Sequence, residues 1–154
     1  MLADFHTLPE GSRIWLYAAE NALSKVQQTY ILKVISEELN GWNAHKKPLT
    51  AGVSILENHF IVIALDESKN GASGCSIDTL QNTIQKIEKE LSIPLMNRLN
   101  VFCEIEEEIV CVPSFKLGSI AKADTPFYDL TILTKRDIDT YLKPISEGWC
   151  AHLV

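Results

Sequence analysis

Leu49-Thr50-Ala51-Gly52-Val53-Ser54-Ile55-Leu56-Glu57-Asn58-His59-Phe60-Ile61-Val62-Ile63-Ala64-Leu65-Asp66 is the stretch that decides the fold class. Its two arms, Leu49 to Leu56 and His59 to Asp66, are rich in apolar and β-branched residues. They are separated by Glu57-Asn58, a two-residue connection that suits a tight hairpin. Phe60 to Leu65 is apolar at every position, so this strand is expected in the middle of a sheet with both faces covered.

Toward the N-terminus, Ser24-x-x-Gln27 has the form of a capping box, and Ile31, Ile35 and Leu39, with Val26, Tyr30 and Val34, recur at helical spacing until Gly41. Before that helix, Arg13-Ile14-Trp15-Leu16-Tyr17 reads as a first strand opened by Pro9-Glu10-Gly11-Ser12. Toward the C-terminus, Ser68 to Gly74 is a loop, and Ile77, Leu80, Ile84, Ile87 and Leu91 then follow a 3-4-3-4 spacing that predicts a second amphipathic helix stopped by Pro94. Val101 to Ile105 and Ile109 to Val112 read as a hairpin about Glu106-Glu107-Glu108, a solvated acidic turn. A short helix over Ser114 to Ala121, a strand over Phe127 to Leu133 and a helix begun by Thr134 with Asp137 follow. The last ten residues, Ile145 to Val154, read as a tail packed through Trp149.

The element order predicts an α+β protein with a ferredoxin-like βαββαβ core and a C-terminal β-α-β-α extension, in a single domain over residues 1–154. At 154 residues, 46% hydrophobic and 22% charged, the chain is long enough for one sizeable core. A net charge of −6 is the wrong sign for a surface that collects phosphates, so no nucleic-acid partner is expected. No apolar run approaches the ~18 residues of a membrane helix, and Met1-Leu2-Ala3-Asp4 has no basic flank, so no membrane insertion and a cytoplasmic location are expected. Cys75, Cys103, Cys111 and Cys150 form no CxxC pair and have no His at zinc spacing, so neither a metal nor a cofactor is expected. Cys103 and Cys111 flank the acidic turn and could face each other across it, but a chain of this kind is expected to keep them as reduced core thiols.

One segment invites a functional reading. Gly71-Ala72-Ser73-Gly74-Cys75-Ser76-Ile77-Asp78 joins the buried strand to the second helix, where unpaired N–H groups and the positive helix end favour an anion or a thiolate. Cys75 in that first turn is a candidate nucleophile, although the Asp78 carboxylate opposes a thiolate. The plainer reading is a capped helix start in which Cys75 fills a small buried space. A phosphate loop is excluded, because GxxxxGK[ST] needs a lysine where Gly74 is followed by Cys75 and Ser76.

Trp42-Asn43-Ala44-His45 and Trp149-Cys150-Ala151-His152 each place a Trp three residues before a His, and either pair could wall a pocket. In the plainer reading both Trp close the core and both His are exposed. Arg13 could hold a carboxylate or phosphate bidentately or simply pair with Asp66 or Asp78. His59, beside a turn, reads as a solvated edge residue, and His6 has no ligand-spaced companion.

Phe5-x-x-Leu8-Pro9-x-x-Ser12-Arg13-Ile14-Trp15, Trp42-x-Ala44-His45, Asp66-x-Ser68, Ala72-x-Gly74-Cys75-Ser76-Ile77-Asp78 and Glu147-x-Trp149 run in order along nearly the full chain. Together they resemble a family of small uncharacterised bacterial proteins that are often labelled "ABC transporter ATPase" automatically. The resemblance implies a cytoplasmic protein without an agreed activity. The label conflicts with the residues, which lack the P-loop lysine, the signature sequence and the Walker B carboxylate that ABC-type ATP hydrolysis needs. The tail also departs from the family's pattern of a Trp followed directly by His, since Cys150 and Ala151 intervene before His152.

Two readings remain. In the first, the chain is a module for a small ligand or a protein, with a pocket at the helix start Gly74 to Asp78 formed by Ser73, Gly74 and Ser76 together with Arg13, Trp15, Trp42 and His45. In the second it is a thiol enzyme, hydrolytic or redox, with Cys75 as nucleophile, His45 as base and Asp66 or Asp78 as the orienting carboxylate.

Overall fold

The computed structural model describes residues 1–154; a 3₁₀ turn over Phe5–Thr7 precedes the first strand, Arg13–Ala18 (β1). The helix Lys25–Asn40 (α1) follows, with Ser24 as its N-cap: the Ser24 hydroxyl accepts from the Gln27 amide at 3.1 Å and the Gln27 side chain accepts from the Ser24 amide at 2.9 Å. Of the two apolar stripes on α1, Ile31, Ile35 and Leu39 are buried, while Val26 is exposed.

A two-stranded hairpin, Asn43–Ala44 (β2) with Lys47–Pro48 (β3), leads into Ala51–Leu56 (β4) and Phe60–Leu65 (β5). β1, β5 and β4 form an antiparallel sheet in that order, with Trp15 opposite Ile63 and Val53 opposite Ile63 on the other side. As its unbroken apolar run requires, β5 is central and every one of its residues is buried. At the β4–β5 turn Glu57 and Asn58 both have positive φ, and the His59 amide donates to Leu56 O at 3.0 Å, the geometry that matches the twist of a hairpin. The helix Gly74–Leu91 (α2) then packs with α1 on one face of the sheet, where Leu80, Ile84 and Ile87 meet Ile31, Ile35, Leu39, Ile61, Ile63 and Leu65. On the other face the N-terminal segment crosses at Gly52, where a Cβ would lie 2.6 Å from Ala3 O.

The chain divides into two units, Met1–Met96 with Leu133–Arg136, and Asn97–Ile132 with Asp137–Val154. The second unit contains a four-stranded antiparallel sheet of Asn100–Ile105 (β6), Glu108–Pro113 (β7), Pro126–Tyr128 (β8) and Leu142–Pro144 (β9), in the order β7-β6-β8-β9. A short helix, Leu117–Ile120 (α3), follows β7. The architecture is therefore mixed α+β with antiparallel sheets. No helix is long and apolar enough to cross a membrane.

Several expectations need correction. The segment Val101 to Ile105, expected as the fourth strand of a ferredoxin-like sheet, pairs instead with β7 and β8. The outer side of β1 is taken by Leu133–Thr134, with the Ile14 amide donating to Leu133 O at 3.0 Å. The strand expected over Phe127 to Leu133 ends at Tyr128, because the Asp129 carboxylate accepts from both the amide and the hydroxyl of Thr131 and turns the chain there. The helix expected from Thr134 is a 3₁₀ segment, Lys135–Thr140. The tail is anchored through buried Ile145 and Cys150, and Trp149 is 39% exposed. Cys103 does not face Cys111 across the hairpin: it is opposite Val110, while Cys111 is opposite Phe102, which puts the two thiols on opposite faces of the sheet.

Candidate functional site

The start of α2 is built by local hydrogen bonds. Ser73 caps the helix: its hydroxyl accepts from the Ser76 amide at 3.1 Å, and the Ser76 hydroxyl accepts from the Ser73 amide at 2.8 Å. The loop before it is held at both ends. Asp66 accepts from the amide and hydroxyl of Ser68 at 3.0 and 2.6 Å, and the Asn70 side chain donates to Pro48 O at 2.9 Å. That last bond ties the loop to the β2–β3 hairpin, whose tip is His45-Lys46 with φ of 50° and 66°.

Trp42 joins the same parts from the inside. It is buried at 3% exposure, and its Nε1 donates to Ser76 O at 2.8 Å, so the indole is fixed as a wall against the first turn of α2. Trp15 meets the Trp42 ring edge-on at 5.8 Å, and the Arg13 guanidinium lies over Trp15 at 4.6 Å.

Between hairpin and helix is an open groove of about 340 Å³ lined by Glu38, Gly41, Trp42, Asn43, His45, Lys46, Ser73, Cys75, Ser76 and Thr79. Trp42, His45, Ser73, Cys75 and Ser76, singled out from the sequence, come together here. The Glu38 and Lys46 members were missed: Lys46 follows a candidate His but only the turn at 45–46 shows that it faces α2, and Glu38 is one polar position among many on α1. Arg13, Trp15, Gly74 and Asp78 do not line the groove. Arg13 has its cation over Trp15 rather than in an ion pair with Asp66 or Asp78.

Cys75 is exposed rather than filling a buried space, and His45 is exposed beside it. No hydrogen bond links the two. Asp66 is buried and committed to its own turn; the Ser68 hydroxyl bond, helped by the Ser68 amide and Lys69, holds its carboxyl below the usual range in spite of burial. Asp78 is an exposed residue one turn along α2. His59 is not a solvated edge residue: it is 7% exposed, with Nδ1 3.0 Å from Ala19 O. His6 and His152 are exposed. No cluster of His, Cys, Asp and Glu has the arrangement of a metal site.

The groove can therefore hold a polar molecule between a cationic tip, an apolar wall and a helix start, with one carboxylate on the α1 side. Compared with known proteins, the chain matches no family model, no curated protein and no solved structure.

Proposed function

We propose that this chain is a binding module for a small anionic ligand, held in the groove at the start of α2. The observation that carries the reading is the convergence of Trp42, His45, Lys46, Ser73, Cys75 and Ser76 on one opening of about 340 Å³. The capping box occupies the Ser73 and Ser76 amides, which leaves that of Cys75, a groove-lining residue at the positive helix end, for a carboxylate or phosphate oxygen. Lys46 and His45 add charge and a hydrogen-bond donor opposite, and the buried Trp42 ring backs the floor of the groove and fixes the first turn of α2. Glu38 favours a ligand with an amine or hydroxyl at its other end.

The β1-β5-β4 order with α1 and α2 on one face supports reading the first unit as the βαββα part of a ferredoxin-like arrangement. Four unbridged cysteines support a reducing, cytoplasmic setting. A thiol enzyme using Cys75 and His45 has less support, since neither carboxylate orients the imidazole and Asp66 is engaged elsewhere.

Amide-resolved NMR titration with inorganic phosphate, acetate and free amino acids tests the module. Shifts centred on Cys75 and the 45–46 tip, reduced several-fold in affinity by Lys46→Ala, are expected. An unmoved helix start across all these probes overturns it. Alkylation of Cys75 that stays fast well below pH ~7 would instead favour the enzyme.

A further inference from the structure

Asn-Gly occurs twice in the chain, at Asn40-Gly41 and at Asn70-Gly71. In this dipeptide the backbone nitrogen of the glycine, unhindered by a Cβ, can attack the asparagine Cγ and close a five-membered succinimide. The fold holds the two copies in opposite ways. Asn40 is the last residue of α1, and the Gly41 amide donates to Glu38 O at 3.3 Å. That nitrogen would have to give up its bond, and Asn40 its helical backbone, before the ring could close. Asn70 lies outside any helix or strand, in the loop that leads to α2, and the amide of the exposed Gly71 donates to no protein acceptor. A proton acceptor stands beside it: Glu67 Oε2 is 3.4 Å from Ala72 N and 3.2 Å from the point that a Gly71 Cβ would occupy. The restraint on the Asn70 side chain is a solvent-exposed bond, from Nδ2 to Pro48 O at 2.9 Å.

We infer that Asn70-Gly71 is a site of spontaneous deamidation, and that its conversion releases the tie between the loop before α2 and the β2–β3 hairpin. Gly71 N bonds to Asn70 Cγ, and Nδ2 leaves as ammonia with the proton that the Gly71 amide gives up. Water then adds to the succinimide and opens it to aspartate or isoaspartate. Neither product has a side-chain donor, so the bond to Pro48 O is lost and a carboxylate faces that carbonyl in its place. Isoaspartate also lengthens the loop backbone by a methylene. Pro48 belongs to β3 and is paired with Asn43 of β2, so the loss reaches the hairpin whose tip, His45-Lys46, lines the groove. The modification follows from the loop and stands whether or not the groove takes an anion.

Ageing the folded full-length chain in mildly alkaline buffer and mapping its peptides by mass spectrometry tests this. The Asn70-Gly71 peptide is expected to gain about one dalton. Asn40-Gly41 is expected to convert about fivefold or more slowly, as suits an amide that must first break a backbone hydrogen bond. In urea, which removes both settings, the two rates are expected to converge. Gly71→Ala, at an exposed position without a positive φ, is expected to keep the fold and to slow conversion several-fold. Asn70→Asp, which stands in for one product, is expected to speed hydrogen exchange of the hairpin amides over residues 43–47 several-fold. An Asn70 that stays amidated in the folded chain overturns the inference. Equal conversion of Asn40 and Asn70 in the folded chain, a rate difference that persists in urea, or an Asn70→Asp hairpin that exchanges no faster than the unmodified one does the same.

Discussion

The two units contain the same small device and use it with different consequences. In the first, Asp66 ends β5 by accepting from the amide and hydroxyl of Ser68; in the second, Asp129 ends β8 by accepting from the amide and hydroxyl of Thr131 at 2.9 and 2.5 Å. Asp66 has no ion pair, while Asp129 also accepts from Lys143 Nζ at 3.0 Å. Burial pushes the Asp129 carboxyl up, but the Thr131 bonds and the Lys143 ammonium outweigh it and hold it below the usual range. The difference follows from what surrounds each turn. The first unit has two long helices and a broad apolar core, so its turns only route the chain. The second has no helix longer than the four-residue α3 among its α-helices and a small core of Val101, Cys103, Val112, Leu117, Ala121, Phe127, Ile145 and Cys150, so single polar contacts and close packings matter more to it.

The comparison breaks most visibly at the glycines of close approach. A Cβ at Gly148 would penetrate the contact surface of the fully buried Phe127 ring, so Gly148→Ala is expected to cost about 3 kcal/mol and to melt the second unit first in hydrogen exchange. If the first unit loses protection equally, the two units do not differ in this way. Next, Asp129→Ala is expected to cost about 2 kcal/mol, because it strands the half-buried Lys143 ammonium, against about 1 kcal/mol for Asp66→Ala; chemical denaturation measures both.

Both carboxyls are held below their unfolded value, so each stabilises the fold above about pH 4 and loses that contribution as pH falls below it. In the alkaline range the second unit is sensitive through its buried thiol at Cys103. Burial pushes the Cys103 thiol up to about 11, so the unfolded chain releases its proton first, and stability falls as pH rises from about 9 to 11, by up to about 2 kcal/mol. Cys103→Ala is expected to flatten that part of the profile. The smallest effects sharpen the first unit's side: Ser24→Ala and Ser73→Ala each remove a capping box and are expected to cost about 1 kcal/mol in denaturant midpoints. Ser73→Ala is also expected to weaken phosphate or carboxylate binding at the groove, whereas Ser24→Ala leaves it unchanged.

The first unit was largely legible because its signals are local. Ser24-x-x-Gln27, the 31/35/39 and 77/80/84/87 stripes and the apolar run of β5 each state their own structure through backbone capping and side-chain periodicity. The β2–β3 hairpin was not, since His45-Lys46 carries no glycine or asparagine to announce its positive φ. In the second unit a strand that stops at Tyr128 looks, in sequence, like one that runs on to Leu133; the Asp129–Thr131 turn that breaks it is ordinary polar chemistry until it closes.

The sequence by itself determined the α+β class, the two amphipathic helices with their caps, the central buried strand, and the absence of a phosphate loop, because these rest on the order of residues along the chain. Only the tertiary structure decided which sheet Val101 to Ile105 joins, that Lys46 and Glu38 complete a groove with Ser73 and Ser76, and that Cys75 is exposed. Those outcomes depend on contacts between residues tens of positions apart, such as Trp42 Nε1 with Ser76 O and Ile14 N with Leu133 O, and local periodicity carries no record of them.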